Sequence, residues 1–286
     1  MHLFSSLGEI IEAPGAEQAR MARMLGLPGE PNRHEFTNLF VIQLFPYASI
    51  YLNANGVAGG AVRRRAADYW RLTGGISPHE PDHVTALLKL YGSMQPTPAD
   101  FTSPSIDTRR IVFWEMLASW LPMYLLRIRE LGSPLYQAWS DVLFDVIEAE
   151  AGQLEAPAVM TSFLAAAPAA PSINEAGAFV DSLFAPAVSG IIICRADLGR
   201  CAAAHRLTIR LADRRHTLKL MLMEKTGSVC AWLCGEFTRQ ADNLRRLPDV
   251  LSIVRDHWVR RAETSAAAIA EFEARYARPG HTVNLI

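Results

Sequence analysis

The chain has 286 residues, half of them apolar and a fifth charged, enough to bury a substantial core in one large domain or two modest ones. Its 28 basic and 29 acidic side chains leave a formal net charge of -1, which excludes the positive field that attracts nucleic acid or an anionic membrane. Residues 1–15 lack a basic leading segment and an apolar run, and no later run reaches the ~20 apolar residues of a membrane span, so a cytoplasmic protein is expected.

Helical periodicity dominates the chain. The glycine-rich run Asn55-Gly56-Val57-Ala58-Gly59-Gly60 lacks a following Lys-Ser/Thr and reads as a flexible turn rather than a phosphate loop. Residues 59–72 carry Val62, Ala66, Tyr69 and Trp70 at helical spacing, with Arg63-Arg64-Arg65 on the solvated face. A Gly74-Gly75 break follows. Ser77-Pro78-His79-Glu80 then fits a capping box, with Ser77 as N-cap and Glu80 at N3; alternatively Pro81 is the first helical residue. Val84, Leu87, Leu88 and Tyr91 continue at i, i+3, i+4, i+7.

A further helix is predicted from Ser105 or Asp107 through Trp114, Leu117, Leu121, Leu125 and Ile128, kinked but not ended by Pro122. Ser133-Pro134 opens the next, which carries Leu135, Trp139, Val142, Leu143, Val146 and Ile147. An Ala/Pro-rich segment, residues 151–172, reads as a linker between a domain over 1–150 and a helical extension over 173–286 that packs on it. In the extension, helical patterns cover residues 176–184, 196–205, 211–223, 228–244 and 248–276. The one strand-like run, residues 190–194, is too short and isolated to imply a sheet. The expected fold is all-α.

Cys194, Cys201, Cys230 and Cys234 are spaced C-x6-C and C-x3-C, without a C-x2-C knuckle. With His205 and His216 they could form a zinc site, but their apolar setting favours buried thiols. A disulfide framework is not expected.

His79-Glu80-Pro81-Asp82-His83 is the stretch richest in chemistry. A metal site on the i,i+4 histidines is interrupted by Pro81 and has no evident third ligand, and no metal or cofactor is expected. Near the positive end of a helix dipole, Asp82 favours its ionised form and His83 its neutral one. Exposed side by side, the two could grip a bound segment, or they could cap their own helix. An enzyme using Asp82 and His83 for acid/base work and a helical scaffold active through its C-terminal half remain alternatives. No G-x-S-x-G, Walker loop or G-x-G-x-x-G is present.

Several stretches in order resemble the TorD/DmsD-type maturation chaperones of molybdenum oxidoreductases. These are Leu44-Phe45-Pro46-Tyr47-Ala48-Ser49-Ile50-Tyr51-Leu52, then Tyr69-Trp70-Arg71-Leu72 with Gly74-Gly75, and the acidic-Pro-Asp-His signature Glu80-Pro81-Asp82-His83. Trp120-Leu121-Pro122-Met123-Tyr124 and Ser133-Pro134-Leu135-Tyr136 follow in the same order, so the likeness covers about residues 36–150. Residues 185–198 are similar to an extension in longer relatives.

The resemblance implies an all-helical bundle, monomeric or a domain-swapped dimer, and not an enzyme. Its implied partners are the twin-arginine signal peptide and the apo catalytic subunit of a molybdopterin-dependent oxidoreductase, held until cofactor insertion is complete. Recognition carries over onto Pro81, Asp82 and His83, with Tyr69 and Trp70 as groove wall. Physically, such a receptor needs an apolar groove, here Tyr69, Trp70, Val84 and Leu87, and acceptors for guanidinium groups, here Glu80 and Asp82.

Overall fold

The computed structural model describes residues 3–95, 106–169, 171, 173, 175–208 and 213–276, and among them the regular elements are all helical. The fold is all-α. The chain divides into two compact units. The first comprises Met1–Asn53, Val57–Ala165 and Pro248–Val254; the second comprises Ala54–Gly56, Ala166–Leu247 and Arg255–Ile286.

In the first unit, α1 (Leu3–Glu9), α2 (Ala16–Met24), α3 (Arg33–Phe36, continued by π-helical turns over Thr37–Gln43) and α4 (Ala48–Leu52) come first. They are followed by α5 (Gly60–Leu72), α6 (Val84–Ser93), α7 (Ile106–Val112, widening into π-helical turns over Phe113–Ala118), α8 (Leu121–Leu131) and α9 (Pro134–Gln153). Helices α1 and α6 pack closely because glycines face the contact: a Cβ on Gly92 would lie 2.6 Å from Ser5 Oγ, and one on Gly8 would lie 3.2 Å from the Thr85 carbonyl oxygen. The Thr85 hydroxyl donates to the Gly8 carbonyl (2.8 Å), and the Trp139 indole N–H donates to the Leu7 carbonyl (2.9 Å), tying α1 to α6 and α9. Trp120 is fully buried, with Tyr51 stacked on it at 4.8 Å between centroids.

Two sequence expectations change in this unit. Pro122 does not merely kink one helix. The chain breaks at Ser119-Trp120, with Trp120 at φ -139°, and Pro122 lies in the first turn of α8, where a missing N–H does no harm. The apolar pattern continues beyond it because residues 112–125 are buried throughout, on both sides of the break. Second, Ile106–Leu131 is long and apolar enough to cross a membrane, but 89% of its apolar window is buried inside the protein, so it reads as core. The Ser133-Pro134 start opens α9 as predicted.

A short helix α10 (Ser162–Ala166) precedes the second unit, which is built from α11 (Ala176–Leu183), α12 (Pro186–Ser189), α13 (Arg195–His205), α14 (Arg214–Arg245) and most of α15 (Ser252–Tyr276). Its core gathers Phe179, Leu183, Ile191, Leu222, Leu233, Phe237 and Phe272, the rings of Phe179 and Phe272 stacked at 4.6 Å. The two helical patterns 211–223 and 228–244 form α14, two helices from Arg214 on that meet at a kink where the Lys225 backbone is non-helical; residues 211 and 212 lie outside the described residues.

The strand-like run 190–194 forms no strand. Its polar backbone is satisfied by a side chain instead: Ile192 N–H donates to Gln240 Oε1 (3.2 Å), and Gln240 Nε2 donates to the Ile192 carbonyl (3.1 Å). Gly190 (φ 82°) lets it pass α15, since a Cβ there would lie 2.3 Å from the Ala262 amide nitrogen.

His257, on α15, is buried beside Arg260 and Arg261, and its Nε2 has no hydrogen-bond partner among the described residues. Burial and then the two arginine charges push its pKa down from 6.5 to about 4. The native state therefore binds fewer protons than the unfolded chain. Stability should be complete above about pH 6.5 and fall as the pH drops towards 4, by up to about 3 kcal/mol. Urea melts at several pH values should show this slope in the native sequence and lose it in His257→Leu.

Candidate functional site

Two stretches far apart in sequence, 44–52 and 80–84, are joined by a short antiparallel bridge between Tyr47 and His83. Ala48 N–H donates to the Asp82 carbonyl, and Val84 N–H donates to the Pro46 carbonyl, each at 2.9 Å. This pairing decides where α6 begins. Residues 77–83 are not its first turn, and the expected capping box on Ser77 and Glu80 does not form; nor is Pro81 the first helical residue. His83 is the N-cap, with extended backbone (φ -66°, ψ 141°), and its Nδ1 accepts from Thr85 N–H at 3.2 Å. Backbone already committed to a bridge cannot also close a helical turn.

Asp82 is buried at 1% exposure, contrary to the exposed position expected. The Ser49 hydroxyl donates to its carboxylate, and Ser49 Oγ in turn accepts from Gly59 N–H at 2.8 Å. Asp82 thus ties the loop to α4 and to the start of α5, and it is not placed to meet a guanidinium group of a partner. No hydrogen bond is described between Asp82 and His83. Burial holds the His83 pKa below its ordinary value against the raising effect of Glu12, Glu80 and Asp82. The imidazole therefore stays neutral at pH 7, as its role as an acceptor requires.

Glu80 is exposed, as its expected role requires. The Tyr47 hydroxyl donates to Glu80 Oε2 at 2.9 Å, and burial together with this bond pushes the Tyr47 pKa up to about 12. Glu80 and His83 line a cleft of about 360 Å³ together with Glu12, Trp70, Ile76 and Lys89. Glu12 arrives there because it follows α1, which the glycine contacts press onto α6. Lys89 is held by Glu9 at 2.7 Å, so Glu12 and Glu80 set the charge of the cleft. Ile76 is 94% exposed, and the buried Trp70 indole N–H has no partner among the described residues.

Of the predicted groove wall, only Trp70 lines this cleft. Tyr69 is buried, its hydroxyl donating to Glu115, which also receives Arg65 Nε at 3.2 Å. Val84 and Leu87 are core residues of α6, and Pro81 is buried, lining a neighbouring cleft. Sequence reasoning missed Glu12, Ile76 and Ser49 as parts of the site. Ile76 carried a readable signal, an isoleucine between Gly74-Gly75 and Ser77-Pro78 with no periodic partner.

All four cysteines are free; Cys194, Cys201 and Cys230 are buried and Cys234 is partly so. Burial pushes the thiols of Cys201 and Cys230 up to about 12, which makes them inert as nucleophiles at neutral pH. Cys194 donates its S–H to Asp197 Oδ2 (3.0 Å) as part of the cap of α13. Among the described residues, no three His, Cys, Asp or Glu side chains gather as a metal-binding group.

Comparison with protein families, with curated proteins and with solved structures finds no match for this chain.

Proposed function

We propose that the chain is a maturation chaperone of the TorD/DmsD type, which holds the twin-arginine signal segment of an apo molybdopterin-dependent oxidoreductase in the cytoplasm before export. The observation that carries this reading is the cleft at Glu80 and His83. Its lining pairs two carboxylates, Glu12 and Glu80, with an exposed Ile76 and the ring of Trp70. A segment of cations followed by apolar residues needs that combination. The unpaired Trp70 indole N–H supports the same reading, because a buried donor without an acceptor costs free energy that a bound peptide carbonyl would recover. The active side chains in this reading are Glu80, Glu12, Trp70 and Ile76, while Asp82 and His83 hold the loop that presents Glu80.

Calorimetric titration of a twin-arginine peptide tests it. Glu80→Gln should weaken binding by about 1–3 kcal/mol, the range for losing a charged hydrogen-bond partner, with the melting temperature nearly unchanged because Glu80 is exposed. Ile76→Ser should weaken it without loss of stability for the same reason. Equal affinity of both variants and the native protein would remove the cleft from consideration.

A further inference from the structure

A second cleft, of about 390 Å³, is lined by Arg63, Arg64, Ser77 and His79 among others, with no carboxylate in its lining. Arg63 is committed, donating to the His79 carbonyl. Arg64 is exposed and has no hydrogen bond or ion pair among the described residues. Its i+4 neighbour Asp68 is taken by Arg71 at 2.6 Å. The positive charge here is therefore unneutralised, whereas the lysine of the first cleft is matched by Glu9. Pro78 and His79 line both clefts, so two pockets of opposite sign adjoin at one stretch of backbone.

From this we infer that the segment bound at the site carries a carboxylate as well as its cations, the carboxylate seated on Arg64 while the cations lie at Glu12 and Glu80. This rests on the peptide-binding reading proposed above and adds a specificity to it. The two clefts share Pro78 and His79, and an extended peptide advances about 3.3 Å per residue, so the acidic residue stands within a few positions of the cations. A pair at an exposed guanidinium adds modest affinity and is sensitive to salt. A carboxylate at the wrong spacing meets Glu12 or Glu80 instead and is rejected, which makes the two clefts a selector among arginine-bearing segments.

Fluorescence anisotropy with three labelled synthetic peptides tests this on the full chain. Each has two adjacent arginines followed by an apolar run. One has a glutamate three positions before the arginines, one has it three positions after, and the third has alanine at both places. One glutamate peptide should bind about three- to tenfold tighter than the alanine peptide at low salt, with the advantage lost at about 0.5 M salt. The advantage should also vanish with Arg64→Gln, while the alanine peptide binds both proteins alike. If all three peptides bind the native protein equally, the carboxylate inference is overturned and the cleft reading stands. An advantage that survives Arg64→Gln overturns it too, by placing the carboxylate elsewhere. If none of the three binds, both readings fall.

Discussion

Glu150→Ala should lower the stability of the protein by about 3–5 kcal/mol, the cost of leaving one partner of a buried ion pair alone. Arg109 and Glu150 are 8% and 7% exposed, and Arg109 donates to Glu150 through both Nη2 and Nε. The Tyr91 hydroxyl donates to the same carboxylate oxygen, and burial together with this bond raises the tyrosine pKa well above its ordinary value. Removing the carboxylate strands a guanidinium and a phenol in the interior at once. Tyr91 lies on α6, the helix that opens at His83, and its ring meets Phe4 of α1 edge-on at 4.8 Å. Loosening this network therefore loosens the α1–α6 contact that brings Glu12 to the cleft. The triple variant Arg109→Met, Tyr91→Phe, Glu150→Leu should recover most of the loss, since no unpaired polar group remains. Chemical denaturation of the single and triple variants checks this; a loss under 1 kcal/mol in Glu150→Ala would show the pair to be open to water.

Asp82→Ala should cost about 2–3 kcal/mol of stability, the price range of a buried charged hydrogen-bond acceptor. The variant leaves the Ser49 hydroxyl without its acceptor and releases the loop from α4, although the backbone bridge of Tyr47 and His83 survives. Asp82→Asn keeps an acceptor oxygen and should lose about 1 kcal/mol. The contrast with Glu80→Gln is the informative part: one carboxylate acts on stability and the other on binding, two positions apart. Thermal melts and peptide titrations on the same samples separate them. A native melting temperature for Asp82→Ala with abolished binding would mean that Asp82 faces the client after all.

The helices were legible in the sequence because burial of an apolar face leaves a period, and Val62, Ala66 and Tyr69, or Leu135, Trp139 and Leu143, display it. The start of α9 at Ser133-Pro134 was legible for a local reason, since a proline tolerated only in a first turn marks that turn. The start of α6 was not. Its capping residue depends on hydrogen bonds from Ala48 and Val84 across more than thirty positions, and the sequence around Ser77 offered a plausible local alternative.

The site divides along the same line. The sequence by itself determined the all-helical class, the near-neutral surface and the concentration of charge and aromatic residues at 63–83. Tertiary structure alone decided that Asp82 turns inward to Ser49 while Glu80 turns outward to Tyr47, that Tyr69 leaves the groove for Glu115, and that Glu12 enters the cleft from α1. Apolar residues announce burial because water rejects them everywhere. A carboxylate or a tyrosine hydroxyl goes where a distant segment supplies its partner, and that partner is absent from the local sequence.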